Sequence, residues 1–149
     1  MRYLKLYEDH TNNDISELER FCEENLASLL DNGFKFRVVK VIGAFNIWLD
    51  MPIIYYEDNN YVRPEFKWDD VKDDYIPFLE KLNSYYNFYD NKRDGYDIIF
   101  RNGSVGINYY KHDDVINDTF TDSYSNKHTI NMDKLISIGL GISKKDYKI

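Results

Sequence analysis

Residues 98–110 read IIFRNGSVGINYY, from Ile98 through the dipeptide Asn102-Gly103 to Tyr110. Two runs of β-forming residues flank a pair that readily takes positive φ, which predicts a hairpin closed by a type I′ turn. With that turn, Arg101 opposes Ser104, Phe100 opposes Val105 and Ile98 opposes Ile107. Ile98, Phe100, Val105, Ile107 and Tyr109 then share one face, while Asp97, Arg101, Asn108 and Tyr110 mostly take the other. The apolar face requires a cover, and the flanking sequence offers amphipathic helices for it.

The clearest of these lies upstream. Asp14 and Glu17 stand in capping-box spacing. Ile15, Leu18, Phe21, Cys22, Leu26, Leu29 and Leu30 then recur every three or four residues as one apolar stripe. Asp31-Asn32-Gly33 ends it, with Gly33 suited to a left-handed cap. From Phe34 the period changes to two. Phe34, Phe36 and Val38 alternate with Lys35 and Arg37; a phase slip at Val38-Val39 predicts a bulge or a strand buried on both faces. Phe45, Ile47 and Leu49 form a second strand after a kink or turn at Gly43, and Pro52 ends it. Trp68 to Tyr86 is a second helical region, with Val71, Tyr75, Phe78, Leu79, Leu82 and Tyr86 on one face. Pro77 either kinks that helix or starts a new one. Residues 112–129 read as a long polar loop, and Asn131 caps a final helix through Leu135 and Ile136 towards Ile138. Residues 1–8 are a short strand or a docking arm, followed by a polar connector to residue 13. The expectation is a single α+β domain over residues 1–149. Its four-stranded, mainly antiparallel sheet carries the Asn-Gly hairpin, with helices packed on one face.

Composition narrows the function. A chain of 149 residues, 43% hydrophobic and 17% aromatic, can bury one sizeable core. It carries 26 Asp and Glu against 19 Lys and Arg, a net charge of −7. That balance argues against a duplex-binding surface, which needs concentrated cations. It favours attraction to basic proteins, and acidic surface can also imitate a nucleic-acid backbone. No stretch approaches the roughly 20 apolar residues of a membrane span, and residues 1–8 carry no signal-peptide run, so a cytoplasmic protein is expected. Cys22 is the lone cysteine, which excludes an internal disulfide; it reads as a small buried hydrophobe. Only two alanines stand against fifteen asparagines and fourteen tyrosines, a bias expected of an AT-rich gene.

Catalytic groupings are sparse. Asp69, Asp70, Asp73 and Asp74 pair at helical spacing and could hold a hard cation, but carboxylates also favour a helix start through its dipole. His112, Asp113 and Asp114, with His128, Asp118 and Asp122, could ligate zinc or iron, yet the spacing of 16 between the histidines matches no compact motif. Gly139-Leu140-Gly141 lacks the residues of a phosphate loop. No catalytic residue, metal site or cofactor is assigned. Tyrosine offers stiff, amphipathic contact area at low entropy cost. Residues 55–63 read as an exposed tyrosine-rich loop. Tyr55, Tyr56, Glu57, Asp58 and Tyr61, with Tyr89 and Asp90, are the residues expected to touch a partner protein.

The opening Met1-Arg2-Tyr3-Leu4-Lys5-Leu6-Tyr7-Glu8, a polar connector, and then Asp14-Ile15-Ser16-Glu17-Leu18 resemble small proteins of tailed bacteriophages. The likeness covers about residues 1–31 and implies a viral origin without an activity. The expectation is therefore a non-enzymatic, phage-encoded protein that engages a host or viral protein through acidic, tyrosine-bearing surface, for instance by inhibiting a defence or nucleic-acid-handling enzyme. A minor virion component and a metal-dependent enzyme using the His112 region are the alternatives.

Overall fold

The computed structural model describes residues 2–51, 54–55, 61–62, 64–89, 95–103 and 106–145, with backbone alone for 2–13, 54–55 and 61–62. Helices α1 (Arg2–Asn25) and α2 (Ala27–Asp31) lead into strands β1 (Lys35–Val41) and β2 (Ala44–Asp50). A short hairpin, β3 (Ile54–Tyr55) and β4 (Tyr61–Val62), precedes helix α3 (Trp68–Tyr85) and strand β5 (Tyr86–Phe88). The hairpin β6 (Ile98–Asn102) and β7 (Gly106–Tyr110) follows, then helix α4 (His112–Ile116), the hairpin β8 (Thr119–Thr121) and β9 (Lys127–Thr129), and the long strand β10 (Leu135–Lys144). The class is α+β, and the main sheet has six strands rather than the expected four.

Strands β10 and β5 account for the difference. The expected C-terminal helix is instead the centre of the antiparallel sheet, whose order is β1-β2-β10-β6-β7, with β5 also paired to β10. Residues 137–143 alternate small and aliphatic: Ser137, Gly139 and Gly141 fall on one face, Ile138, Leu140 and Ile142 on the other. The aliphatic set aligns with Phe45, Ile47 and Leu49 of β2 and with Ile98 and Phe100 of β6, and all are buried. Period two wins over the cap signal at Asn131 because both neighbouring strands offer the same face for burial. Glycine is required at 139 by close approach. A Cβ there would lie 2.3 Å from Cζ3 of the Trp48 indole, which crosses the strand at that point. The Arg101 guanidinium stacks on the same indole at 4.5 Å from its centroid.

Helices α1 and α3 cover the aliphatic face. Leu18, Cys22, Leu26 and Leu29 are buried along α1 and α2, as are Val71, Tyr75, Phe78, Leu79 and Leu82 along α3. Phe21 meets Phe78 at 5.9 Å and Tyr85 at 6.1 Å, which joins the two helices side by side. Pro77 neither breaks α3 nor starts a new helix; it sits exposed within one continuous helix. At the end of α2, Phe34 N–H donates to Leu29 O and Gly33 N–H to Leu30 O, with Gly33 at φ +96°. That pair of bonds is a Schellman cap, as the sequence predicts.

Four further expectations are corrected. The strand or arm over residues 1–8 and the connector to 13 are helical, because no Gly or Pro interrupts residues 1–32; Asp14 is then interior to α1 rather than its cap, and its carboxylate accepts from Lys144 instead. No bulge occurs at Val38-Val39: β1 pairs with β2 in unbroken register from Lys35↔Asp50 to Val41↔Ala44. As an edge strand it exposes Val39, and its Lys35, Arg37 and Lys40 discourage further pairing. The central hairpin turns later than Asn102-Gly103 implies. Asn102 pairs with Gly106 and Ile98 with Tyr110, and the positive φ belongs to Gly106. This odd shift flips β7, so Tyr110 faces the core beside Phe100 while Ile107 is 48% exposed. Finally, the ends of the expected loop at 55–63 pair as β3 and β4, and the expected loop at 112–129 folds into α4 and the β8–β9 hairpin.

Candidate functional site

The residues nominated for partner contact are only partly placed. Tyr56, Glu57, Asp58 and Asp90 lie outside the described residues. Tyr55 and Tyr61 are register partners across the β3–β4 hairpin. Tyr89 follows β5, is 38% exposed, and donates its N–H to Gly141 O.

The histidines and aspartates expected to converge are divided among separate partners. The first pair is a staple. Asp97, 8% exposed at the start of β6, accepts from the His112 main-chain N–H at 2.7 Å and from its Nδ1 at 2.6 Å. The imidazole stacks flat on Phe88, centroids 4.1 Å apart. The Asp97 hydrogen bond holds the His112 pKa above its ordinary value against the opposing effect of burial, with smaller help from the Asp97 and Asp113 charges. This arrangement locks α4 to β5 and β6. His128 instead pairs with Asp122 at 2.7 Å on the exposed β8–β9 hairpin; that bond, with N–H donors from Asn126 and Tyr124, lowers the Asp122 pKa. Asp118, in the left-handed region at φ 54°, accepts from the Trp68 indole at 2.7 Å and from Lys72 at 3.2 Å. Among the described residues no group of three or more His, Cys, Asp and Glu could hold a metal ion. Asp69 and Asp70 occupy the first turn of α3, and Asp69 pairs with Lys72.

The fold does concentrate charge. Residues 14–31 and 68–85, the parts of α1, α2 and α3 described with their side chains, hold 11 acidic and 3 basic residues, a net of −8. The whole chain carries −7, so everything else sums to +1. Since the apolar stripes of these helices point to the sheet, the acids crowd their outer surface: Glu19, Glu23, Asp31, Asp70, Asp73 and Glu80 are all exposed. Tyr85, 59% exposed, stands at the end of this layer. The opposite face of the sheet carries Lys35, Arg37 and Arg101 with Trp48 and Tyr109. Along the chain the acids fall in separate clusters, and their segregation emerges only when both helices are set on one side.

A second feature lies at the far sheet edge. A cleft of about 350 Å³ opens between β7, α4 and β8, lined by Tyr96, Tyr109, Tyr110, Phe120, Lys111 and Asp114. Lys111 Nζ lies over the Tyr96 ring, 5.8 Å from its centroid. Tyr110 and Phe120 meet edge to face at 5.8 Å. Nothing in the local sequence marks Phe120 or Lys111, because residues 112–129 read as a polar loop and only the β8–β9 hairpin brings Phe120 to Tyr110. No helix among the described residues is long and apolar enough to cross a membrane. Comparison with known proteins found no matching family model, no matching curated protein and no matching solved structure.

Proposed function

We propose that the protein is a non-enzymatic binding protein whose acidic helix layer engages a basic partner protein. The observation that carries this reading is the net charge of −8 gathered on α1–α3 while the remainder of the chain is close to neutral. A one-sided field of this kind steers oppositely charged partners and orients them during encounter. Tyr85, exposed at the end of the layer, adds the rigid aromatic area on which interfaces anchor. The division of His112, His128 and Asp118 among structural partners leaves no convergent catalytic group among the described residues. The opening residues, similar to those of small tailed-phage proteins, make a host protein the natural partner, with inhibition the simplest consequence of holding it.

The test is capture from lysate of the cells that produce the protein, using wild type beside a quadruple charge reversal, Glu19→Lys, Glu23→Lys, Asp73→Lys and Glu80→Lys. All four side chains are exposed, so the fold should tolerate them. The expected result is one stoichiometric basic partner that elutes with salt and is lost by the variant. A partner retained equally by both proteins, or none for either, contradicts the reading.

A further inference from the structure

We propose that the cleft between β7, α4 and β8 binds a free aromatic α-amino acid in its zwitterionic form. The argument does not depend on the charge of the acidic helix layer. It begins from what the cleft contains. Four aromatic residues, Tyr96, Tyr109, Tyr110 and Phe120, line it together with Thr121, and its volume of about 350 Å³ falls in the small-ligand range. Two charges of opposite sign, Lys111 and Asp114, stand three residues apart at the start of α4 and line the same space. Lys111 precedes the helix in extended backbone and Asp114 lies in its first turn.

These charges do not neutralise each other. Among the described residues neither Lys111 nor Asp114 forms an ion pair, and the ammonium rests on the Tyr96 ring instead. A ligand that satisfies every part must bring a flat ring for the aromatic residues, an anion for Lys111 and N–H donors for Asp114. An aromatic amino acid carries the last two on one carbon, matching a cation and a carboxylate that line the same cleft. Aromatic pairs prefer offset or edge-to-face geometry, which the existing Tyr110–Phe120 contact already displays. Charge selects among ring-bearing ligands. A nucleotide brings two negative charges to a cleft that offers one ammonium beside one carboxylate, whereas a zwitterion brings one charge of each sign.

Calorimetry and amide chemical-shift mapping on the full chain test this, with L-tryptophan, tryptamine (no carboxylate), indole-3-propionate (no amine) and AMP as probes. L-tryptophan should bind saturably at one site, shifting amides of residues 96 and 109–121. Each head-group deletion should weaken binding roughly tenfold, the effect of one charge-assisted hydrogen bond. Lys111→Gln should make L-tryptophan and tryptamine bind alike, and Asp114→Asn should do the same for L-tryptophan and indole-3-propionate. Both side chains are solvent-accessible, so the variants should fold, and their amide spectra verify it. Absence of saturable binding by folded wild type overturns the proposal. So does equal affinity for all three indoles, tighter binding of AMP, or variants indistinguishable from wild type.

Discussion

Replacing Gly139 by alanine probes the least tolerant position of the sheet. A Cβ at 139 would sit 2.3, 2.5 and 2.7 Å from three carbons of the Trp48 ring, where ordinary contact begins near 3.4 Å. The indole is rigid and cannot bend at its end, so it must rotate off the strand. Overpacking of this kind costs about 1–3 kcal/mol. The Arg101 guanidinium, stacked on that ring at 4.5 Å, loses about 0.5–1 kcal/mol more at a partly exposed site. Against this, alanine reduces the freedom of the unfolded chain, worth about 0.4–1 kcal/mol. The net expectation is a loss of about 1–3 kcal/mol. With a urea m-value of about 2 kcal/mol/M, the midpoint falls by about 0.5–1.5 M. Thermal unfolding shifts down by about 3–10 °C for a domain of this size. Trp48 emission should change in the native state while far-ultraviolet circular dichroism stays constant. A double-mutant cycle makes the cause specific: in a Trp48→Leu background the alanine should cost much less. Gly139→Ala with unchanged midpoint and emission, or equal cost in both backgrounds, refutes the close-approach argument and with it the placement of β10 beside β2.

Three further outcomes follow from the core and the His112 staple. Burial pushes the Cys22 thiol up to about 12, with Glu19 and Glu23 adding to the effect, so it should resist alkylation at pH 8 in the native state and react fully in urea. Phe100, fully buried between Trp68 at 5.2 Å and Tyr110 at 5.1 Å, should cost about 3–5 kcal/mol on substitution by alanine, read from urea unfolding. His112 has a raised pKa in the folded state, so its contribution is complete below the unfolded value of 6.5 and disappears as pH climbs through the folded value. The stability gap between wild type and His112→Gln should therefore shrink from pH 6 to pH 9, and a gap that widens contradicts the Asp97 pairing.

Helical faces were legible because their apolar residues recur along contiguous chain. The stripe from Leu18 to Leu29 and the face from Val71 to Leu82 are buried as expected, and Gly33 takes its cap. Strand β10 was not. Its glycines argue against a strand locally, and the reason for them, the Trp48 indole, is 91 positions away. The β7 register departs from the local pattern because tertiary context overrides the Asn102-Gly103 turn signal: Gly103 N–H donates to Lys134 O, beside the start of β10. Asp97 reads locally as a polar strand residue; its bond to His112, fifteen residues on, depends on how the hairpin and α4 meet. The acids of the helix layer were individually visible, but their common side required knowing which faces of α1 and α3 the sheet covers.

Hydrogen exchange of the protein with and without its captured partner tests most directly whether the negative helix layer is the surface it uses. Slowed exchange in the complex should fall on 14–31 and 68–85 and leave β1 and the β8–β9 hairpin unchanged. Protection confined to the sheet face of Trp48 and Arg101, with the helices exchanging as in the free protein, would contradict the account.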